Sequence, residues 1–364
     1  MKPTLFLGAT NQHEGKTTCS LGILAGLFGR VKNPGFFKPV GQNHLEVEPG
    51  VFADKDVPLF RDRFDLTDPY HLMSPVLFTR HFSRDYLNGK FQSGPILDTI
   101  RTAFDTLSEH HDFMLVEGTG HMGVGSICGI DNATIAALLG AKIVLVTSGG
   151  VGSCYDKLML NLALTEKKGG KVGGVIINKV IPSKMEMVRD YMGRALKRLG
   201  IPLVGLLPYD QTLTLLTFED LLTLFHRNPL SGGEYNSRIF KTIRLVATSR
   251  EIFEQTIRKQ ELIITPATRE DIILAALKAE LKERLHGTSL ETGFIFTGSV
   301  PLSPTMAKEL ENVAIPAFFT GENTFACMKK ITAHTSKIRI KDRGKIEEAI
   351  SLVRANIDFD LLLN

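Results

Sequence analysis

The first residues whose types and spacing could do chemistry lie at 5–18, where the apolar run Leu5–Leu7 leads into a polar loop ending in Gly15–Thr18. A helix-like stretch follows directly. Backbone N–H groups of such a loop, together with the N-terminus of the next helix, attract an oligophosphate. Lys16 would act as a point charge on the β- and γ-phosphates, and the Thr17 hydroxyl would reach a Mg²⁺ ion. The spacing therefore predicts a phosphate-binding loop.

This loop departs from the usual motif at one position. G-x-x-x-x-G-K-[ST] begins with glycine, and this chain has Thr10 there. The alternative interpretation is a chance Gly-Lys-Thr at a helix start, but the segment lies at the first strand-to-helix turn, where ligands bind. The residues predicted to bind nucleotide from this loop and the helix after it are Thr10, Asn11, Glu14, Gly15, Lys16, Thr17 and Thr18.

Acidic residues at two other places offer metal ligands. Glu117 follows the apolar run Phe113–Val116 and precedes Gly118–Gly120. A carboxylate at such a strand end is where a P-loop protein holds Mg²⁺ or the attacking group. The alternative is a solvated strand-end glutamate. Asp54 and Asp56 offer a second carboxylate, although an isolated D-x-D is by itself more typical of a solvated loop.

Two further polar residues lie at the ends of predicted strands. Lys38 lies at the end of Gly35–Pro39, at the sheet edge where ligands of open α/β sheets bind. It either faces an anion or is an exposed strand-end lysine. Asn178 could place its amide against a purine edge, although asparagine is also common at strand ends for turn reasons. Lys16 and Lys38 are the predicted catalytic residues.

The composition is that of a globular protein. A length of 364 residues exceeds one ordinary core and predicts two domains, and 43% hydrophobic and 23% charged residues are ordinary values. A net charge of +4, with scattered basic residues, predicts no nucleic-acid partner. Four separated cysteines without a C-x-x-C pair predict neither zinc nor disulfides. No apolar run approaches the roughly 18 residues of a membrane span. We therefore expect a cytoplasmic protein without membrane contact.

Short apolar runs alternate with helical stretches, which is typical of an α/β fold with a doubly wound, mostly parallel sheet. The predicted strands of the first domain are Thr4–Gly8, Gly35–Pro39, Phe113–Glu117, Ala141–Thr147, Gly173–Asn178 and Pro202–Leu207. Pro229 and the glycines after it interrupt this alternation. The sequence predicts a nucleotide-binding domain over 1–225 and a smaller α/β domain over 230–364.

In the second domain, the predicted strands are Leu262–Thr265, Gly293–Gly298 and Ile315–Thr320. Thr268 is the predicted N-cap of a helix over Arg269–Leu285. A last helix is predicted over Lys345–Asn356. Its apolar residues recur at helical spacing and predict a stripe that faces a core, formed by Ile346, Ala349, Ile350 and Val353.

Taken together, the blocks of the first domain resemble dethiobiotin synthetase. They are ATNQHEGKT at 9–17, FKPVGQ at 37–42, DKDVPLF at 54–60, MSPVLF at 73–78, VEGTGHMGVG at 116–125, VTSGGVGSCYDKLMLN at 146–161, VIINKV at 175–180 and VGLLPYD at 204–210. ITPATREDIILAAL at 264–277 and FIFTGSVPLSP at 294–304 resemble the signature stretches of a DRTGG domain. The pairing resembles the N-terminal half of long bacterial phosphotransacetylases and free-standing two-domain relatives.

The resemblance implies roles for individual residues. Lys16 matches the phosphate-loop lysine, and Lys38 matches the lysine that helps to activate the carbamate of the ligase substrate and steadies phosphate. The implied Mg²⁺ ligands are Thr17, Asp56 and Glu117. Asn178 matches the residue that reads adenine, and Pro208 matches a residue that lines the base pocket. The implied cofactors are ATP and Mg²⁺.

The chain also departs from these families. Ala9 replaces the first glycine of the ligase loop, Thr268 stands where the name-giving aspartate of DRTGG would precede Arg269, and Thr297–Ser299 replaces T-G-G. The sequence ends at Asn364 without the acetyl-transferring domain of phosphotransacetylase. We therefore expect no acetyltransferase activity from this chain by itself.

The resemblance implies an Mg²⁺-dependent protein that binds and hydrolyses ATP and whose second domain is regulatory or oligomerising. One alternative is an ATP-dependent ligase of the dethiobiotin synthetase type, and the other is a nucleotide-binding scaffold without turnover. Dethiobiotin synthetases are dimers, so the resemblance implies a homo-oligomer. The expected partners are a nucleotide and an unidentified small-molecule ligand or substrate.

Overall fold

The computed structural model describes residues 2–334 and 337–363. The strands among them are β1 (Thr4–Ala9), β2 (Pro34–Phe37), β3 (Val40–Gly41), β4 (His44–Glu48), β5 (Val51–Asp54), β6 (Val76–Leu77), β7 (Phe113–Glu117), β8 (Lys142–Ser148), β9 (Val172–Val180), β10 (Leu203–Pro208), β11 (Thr242–Leu245), β12 (Glu261–Pro266), β13 (Gly293–Thr297) and β14 (Ala317–Phe319). The α-helices are α1 (Lys16–Leu27), α2 (Asp56–Phe64), α3 (Tyr70–Met73), α4 (Phe82–Leu87), α5 (Ser93–Glu109), α6 (Asn132–Leu138), α7 (Gly152–Lys167), α8 (Met185–Arg198), α9 (Phe218–Phe225), α10 (Arg250–Thr256), α11 (Glu270–Leu285), α12 (Pro304–Val313), α13 (Thr324–Ala333), α14 (Arg343–Asn356) and α15 (Phe359–Leu363).

Two compact units divide the chain. The first contains the residues up to Asp210 together with those from Ile338 onward, and the second contains Gln211–Lys337. Helices α14 and α15 therefore belong to the first unit. In the part of the chain that the structure describes, no helix combines the length and the apolar character needed to cross a membrane.

The first unit is built on a parallel sheet with the strand order β10-β9-β8-β1-β7-β2. The residues of β2 and β7 are buried along their whole length. A strand that is covered on both faces needs apolar residues at successive positions, which is why uninterrupted apolar runs predicted these strands. The predicted doubly wound, mostly parallel α/β fold is confirmed.

The strand order reverses beside β1. After β1 the chain adds β2 and β7 on one side and β8, β9 and β10 on the other. In open α/β sheets a crevice forms outside the carboxyl ends of the strands at such a reversal. The loop between β1 and α1, the end of β7 and the residues after β2 meet at this edge.

A β-hairpin in the first unit ends at the acidic D-x-D segment. Strands β4 and β5 pair antiparallel, and Gly50 between them has a φ of 75°, in the left-handed region that glycine adopts without strain. Strand β5 ends at Asp54, and α2 begins at Asp56. The D-x-D segment is therefore a strand-to-helix junction, not a solvated loop.

The second unit contains a parallel sheet with the strand order β11-β12-β13-β14. Helices α10, α11 and α12 cover one face, where a core forms around Phe253, Ile272, Phe294, Phe296 and Leu310. Helices α9 and α13 cover the other face, where the core contains Phe218, Leu221, Phe318, Cys327 and Ile331. This unit is the predicted smaller α/β domain.

Helix α11 begins differently from the prediction. Its N-cap is Arg269, and no side chain caps the helix, so the prediction of Thr268 as the cap is wrong. Arg269 donates from Nε and Nη2 to the two carboxylate oxygens of Asp271, both at 2.8 Å. The first turn is therefore fixed by a two-point ion pair and not by a threonine hydroxyl.

The C-terminal segment belongs to the first unit, although the sequence predicted it in the second domain. The predicted range 230–364 includes α14, but α14 packs against α1 of the first unit, where a Cβ on Gly22 would lie 2.2 Å from Val353 Cβ. Beyond α14, Ile357 forms an antiparallel bridge with Gly205 of β10. The predicted apolar stripe of α14 is buried and thus confirmed. Its spacing indicated burial but carried no information on which core it joins.

Candidate functional site

The loop between β1 and α1 is fastened to neighbouring elements at its beginning. The N–H of Thr10 donates to the carbonyl of Val146 on β8 at 2.9 Å, and its hydroxyl lies 3.0 Å from the hydroxyl of Thr147. From α7, Asn161 Nδ2 donates to the carbonyl of Thr10 at 3.0 Å. Thr10, which replaces the usual glycine, therefore links the loop to β8 through its hydroxyl.

The end of the same loop is held by β9. Gly15 has a φ of 95°, and Asn178 Nδ2 donates to the carbonyl of Glu14 at 2.8 Å. The next residue, Lys179, donates from Nζ to the carbonyl of His13 at 2.6 Å. Asn178 and Lys179 thus support the curvature of the loop, a role that the sequence analysis did not assign to them.

Lys16 opens α1 and reaches back over the loop. Its Nζ donates to the carbonyl of Gly120 at 2.5 Å. Burial, and then the neighbouring charge of Lys38, lower the pKa of Lys16 to about 8. An anion next to Lys16 would favour the charged ammonium form and so oppose the effect of burial on its pKa.

Gly120 belongs to a segment that Asn132 organises. Asn132 Nδ2 donates to the carbonyls of Thr119 and His121, both at 2.7 Å, and its Oδ1 accepts from the N–H of Thr119 at 3.1 Å. The Thr119 hydroxyl also donates to the carbonyl of Val40. No motif in the sequence points to Asn132, because a contact between a helix start and a loop 11 to 13 residues earlier follows no regular spacing.

Lys38, Asp56 and Glu117 form a buried charged cluster. Lys38 Nζ lies 2.8 Å from Asp56 Oδ2 and 2.7 Å from Glu117 Oε1. Burial alone would lower the pKa of Lys38, but the charges of Asp56 and Glu117 outweigh it and raise that pKa above its usual value. Burial also raises the pKa of Glu117, and Lys38 only partly opposes this effect. The predicted catalytic lysine and the two predicted metal carboxylates are therefore in direct contact.

Asp54 positions Asp56 of this cluster through hydrogen bonds with the backbone. Its Oδ1 accepts from the N–H of Asp56 at 3.1 Å, and its Oδ2 accepts from the N–H groups of Gln42 at 3.0 Å and Asn43 at 3.3 Å. Three backbone donors thus converge on one buried carboxylate. Burial is the main cause that raises the pKa of Asp54. Asp54 holds the start of α2 and the segment after β3 in register with each other.

The oxygen atoms near Glu117 fit a hard divalent cation. Thr17 donates from Oγ1 to Glu117 Oε1 at 3.2 Å, and the second carboxylate oxygen, Oε2, is buried without a hydrogen-bond partner. Among the described residues, no group of three or more His, Cys, Asp or Glu is arranged to hold a metal. Mg²⁺ usually binds one or two carboxylates and completes its octahedron with phosphate oxygens and water, so Thr17, Asp56 and Glu117 fit Mg²⁺.

The remaining predicted residues lie around this centre. Asn11 is exposed and its Oδ1 accepts from the N–H of Gln12 at 2.8 Å. Thr18 lies on the first turn of α1 and is half-buried. Pro208 ends β10 opposite Val180 of β9 and is half-buried. The structure records no side-chain contact from Asn11 or Pro208 to the charged cluster.

The DRTGG-like signature positions of the second unit are engaged in local bonds. The hydroxyls of Thr297 and Thr324 lie 2.9 Å apart, and the N–H of Gly298 donates to the carbonyl of Glu322 at 2.7 Å. Gly298 has a φ of 101°, so it needs the conformational freedom of glycine. These bonds tie the end of β13 to the start of α13.

Comparison with known families agrees with this division of the chain. A family model described as an AAA domain matches residues 3–216, and the DRTGG domain model matches residues 220–334. The resemblances that the sequence blocks predicted, to dethiobiotin synthetase, DRTGG domains and phosphotransacetylases, are confirmed.

The sequence identities to individual relatives are below 30%. The chain is 26% identical over 373 residues to a phosphate acetyltransferase of Synechocystis sp., a match that covers 100% of this chain and 52% of that protein. The chain thus spans about half the length of the curated phosphate acetyltransferases it matches. It is 28% identical over 214 residues to the ATP-dependent dethiobiotin synthetase BioD of Clostridium kluyveri, covering 56% of this chain and 85% of that protein.

Among solved structures, the cell division protein MinD of Aquifex aeolicus matches with a TM-score of 0.36 and 14% identity over 58% of this chain and 84% of that one.

Proposed function

The chain belongs to the AAA-domain family, whose model covers residues 3–216, and we propose that it is an Mg²⁺-dependent P-loop protein that binds and hydrolyses ATP. One observation carries this proposal. At the sheet edge where the strand order reverses, Lys38 contacts both Asp56 and Glu117, and Thr17 of the loop helix donates to the same glutamate. Burial of three charged groups carries a desolvation cost, so such a cluster is weak evidence for a purely stabilising role and supports a role in binding a charged ligand.

The residues of the site would act by positioning and by neutralising charge. The backbone of the loop and Lys16 would hold the β- and γ-phosphates, and Thr17, Asp56 and Glu117 would hold Mg²⁺. When bound, Mg²⁺ would supply positive charge that offsets the negative charge of the phosphates. Lys16 and Lys38 would stabilise the additional negative charge that develops on the transferring phosphoryl group.

We propose adenine as the base. Pro208 ends β10, Asn178 lies two residues before the end of the neighbouring strand β9, and both would line the base pocket. The run Asn178-Lys179-Val180 is followed by Ile181, so it lacks the aspartate of a guanine-reading N-K-x-D. Thr10, Asn11, Glu14, Gly15 and Thr18 complete the proposed nucleotide-binding set.

The second unit is proposed to regulate the first or to assemble the protein. The DRTGG model matches residues 220–334, and the phosphate acetyltransferase relatives carry both halves in one longer chain. We propose a regulatory or oligomerising role for this unit, with a small-molecule ligand whose identity is open, and a homodimer as the assembly. Four free, buried cysteines accord with a proposed cytosolic location.

A ligase of the dethiobiotin type is the second candidate. Its support is that the chain matches most of the length of a curated dethiobiotin synthetase and has both Lys16 and Lys38. Such a ligase would phosphorylate a carbamate and let an internal amine displace the phosphate. A scaffold without turnover is the weakest candidate, because a purely structural site has little need of buried Lys38, Asp56 and Glu117 together.

Nucleotide binding and turnover measured on the full chain test these candidates. We expect calorimetry to detect ATP binding in the presence of Mg²⁺ and Lys16→Ala to abolish it; unchanged affinity of the variant would refute the site. Slow ADP release without an acceptor would support the ATPase and exclude the scaffold. Formation of dethiobiotin from diaminopelargonate, bicarbonate and ATP would establish the ligase instead.

A further inference from the structure

Lys38 contacts the two carboxylates that are proposed to hold Mg²⁺. The distances from its Nζ are 2.8 Å to Asp56 Oδ2 and 2.7 Å to Glu117 Oε1, and all three side chains are buried. A divalent cation on the same carboxylates would stand close to this ammonium group. Repulsion between two cations is strong in a buried site, where the effective dielectric constant is low. Lys38 and a divalent cation therefore compete for the two carboxylates.

We propose that Lys38 is a displaceable counter-ion that makes binding of the divalent cation and binding of the nucleotide depend on each other. This inference rests on the proposed function. A cation that binds Asp56 and Glu117 releases the Lys38 ammonium group from them. The released group then pairs with the terminal phosphate, next to Lys16.

The dependence follows from the cost of leaving a buried charge without a partner. If the divalent cation binds alone, the Lys38 ammonium loses its two carboxylates and gains no anion, which is strongly unfavourable. If nucleotide binds alone, Lys38 stays on its carboxylates and contributes little. When both bind, every charge has a partner. The two ligands therefore bind with positive coupling, which is reciprocal by linkage.

Lys16 cannot take this role. Its Nζ donates to the carbonyl of Gly120 and not to a carboxylate. Removal of its charge should weaken phosphate binding and leave the direct contacts of Lys38 with Asp56 and Glu117 in place. Lys16 is therefore the control for Lys38: both are lysines of the same site, Lys16 half-buried and Lys38 buried, and Lys38 makes the ion pairs with the carboxylates.

The test uses the full chain and three separate affinities. Mn²⁺ alone is measured by electron paramagnetic resonance, β,γ-imido-ATP alone is measured by calorimetry with chelator, and the analogue is measured again with saturating Mn²⁺. We expect Lys38→Met to bind Mn²⁺ alone more tightly than wild type, by roughly 5- to 150-fold. The variant should bind the analogue alone like wild type, and the analogue with Mn²⁺ more weakly. Lys16→Met should weaken both analogue affinities and should raise the affinity for Mn²⁺ alone by much less than Lys38→Met does, because Lys16 makes no direct ion pair with Asp56 or Glu117.

Two results would overturn the inference. If Lys38→Met leaves the affinity for Mn²⁺ alone unchanged or weakens it, Lys38 does not compete with the cation. If Lys38→Met weakens all three affinities alike, its role is structural. Failure of the proposed function would look different: wild type would then bind no analogue under any condition. The Mn²⁺ affinities of wild type and Lys38→Met could still be compared.

A second variant and a second measurement keep the test decisive if Lys38→Met does not fold, as judged by circular dichroism. Lys38→Gln removes the same charge with a polar side chain and should change the three affinities in the same directions. In wild type, a crystal structure with Mg²⁺ and the analogue should show Lys38 Nζ on the terminal phosphate. A lysine still paired with both Asp56 and Glu117 in that complex would refute the inference.

Discussion

Gly15 and Asn178 lie so close together that a Cβ on residue 15 would be 2.1 Å from Asn178 Nδ2. That amide nitrogen donates to the carbonyl of Glu14, so it cannot move away without breaking a bond to the loop. The shape of the phosphate loop therefore depends on the glycine and also on a side chain that arrives from β9, far away in the sequence.

We expect Gly15→Ala to weaken ATP binding by about tenfold or more, since 1.4 kcal/mol is tenfold and a strained backbone costs about 1–3 kcal/mol. Gly298→Ala is the matched control, because Gly298 has a φ of 101° but no atom within 4 Å of the added Cβ. Both variants are strained, and only the first also clashes with Asn178. Calorimetry on both checks this, and equal ATP affinities would contradict it.

Asp54→Asn should weaken Mn²⁺ binding although Asp54 is not a proposed ligand. Asparagine has one acceptor oxygen and would point an N–H₂ group at backbone donors that Asp54 now accepts from. Loss of a buried hydrogen-bond partner costs about 1–3 kcal/mol, so we expect Asp56 to shift and the free energy of unfolding to fall by about that amount. Asp62→Asn on exposed α2 surface should change neither quantity. Electron paramagnetic resonance and urea unfolding measure the two effects.

Gly22→Ala should destabilise the first unit by about 1–3 kcal/mol, because the new methyl group would overlap Val353 of α14. The double variant Gly22→Ala, Val353→Ala should not restore the lost stability, because alanine retains the Cβ atom that lies 2.2 Å from the added methyl group. Gly193→Ala on α8 is the control: no atom lies within 4 Å of its added Cβ, so it should be neutral or stabilising by about 0.5–1 kcal/mol. Urea unfolding gives all three values. Equal effects at positions 22 and 193 would show that α14 does not pack on α1.

Cys327 predicts a pH dependence of the second unit. Burial, followed by the charge of Glu322, raises the pKa of Cys327 from 9.0 to about 12. The folded state therefore keeps a proton that the unfolded state loses, and its stability falls as pH rises above about 9. Between pH 8 and pH 10, wild type should lose about 1.4 kcal/mol more than Cys327→Ala. Urea unfolding of both proteins at these two pH values tests this, and a constant difference would contradict it.

Much of the first unit could be predicted from the sequence because its signals are local. Apolar runs identified the buried strands, and Gly15–Thr17 identified the loop at the first strand-to-helix turn. Lys38 and Glu117 lie at the carboxyl ends of β2 and β7, as predicted, whereas β9 continues for two residues beyond Asn178. Since parallel strands end at one edge of the sheet, prediction of β2 and β7 was enough to bring Lys38 and Glu117 near each other.

Other features depend on contacts between distant segments and have no local signal. Nothing near Asn132 indicates that it holds Thr119 and His121, and no spacing indicates that Asn178 supports Glu14. The D-x-D at Asp54 and Asp56 is by itself typical of a solvated loop, but Asp54 ends the hairpin strand β5, Asp56 begins α2, and both residues are buried. At Thr268 a local rule was misleading, because the Arg269–Asp271 ion pair organised the helix start instead.

The attachment of α14 to α1 limits which truncated forms of the protein can keep the first unit intact. The chain leaves the first unit after Asp210 and re-enters it at Ile338, so the DRTGG-like unit is an insertion with two covalent connections to the first unit. A protein truncated after β10 would lack the helix that covers Gly22 and would expose an apolar surface. Excision of the insertion therefore requires a linker from 210 to 338 that keeps the last helices in place.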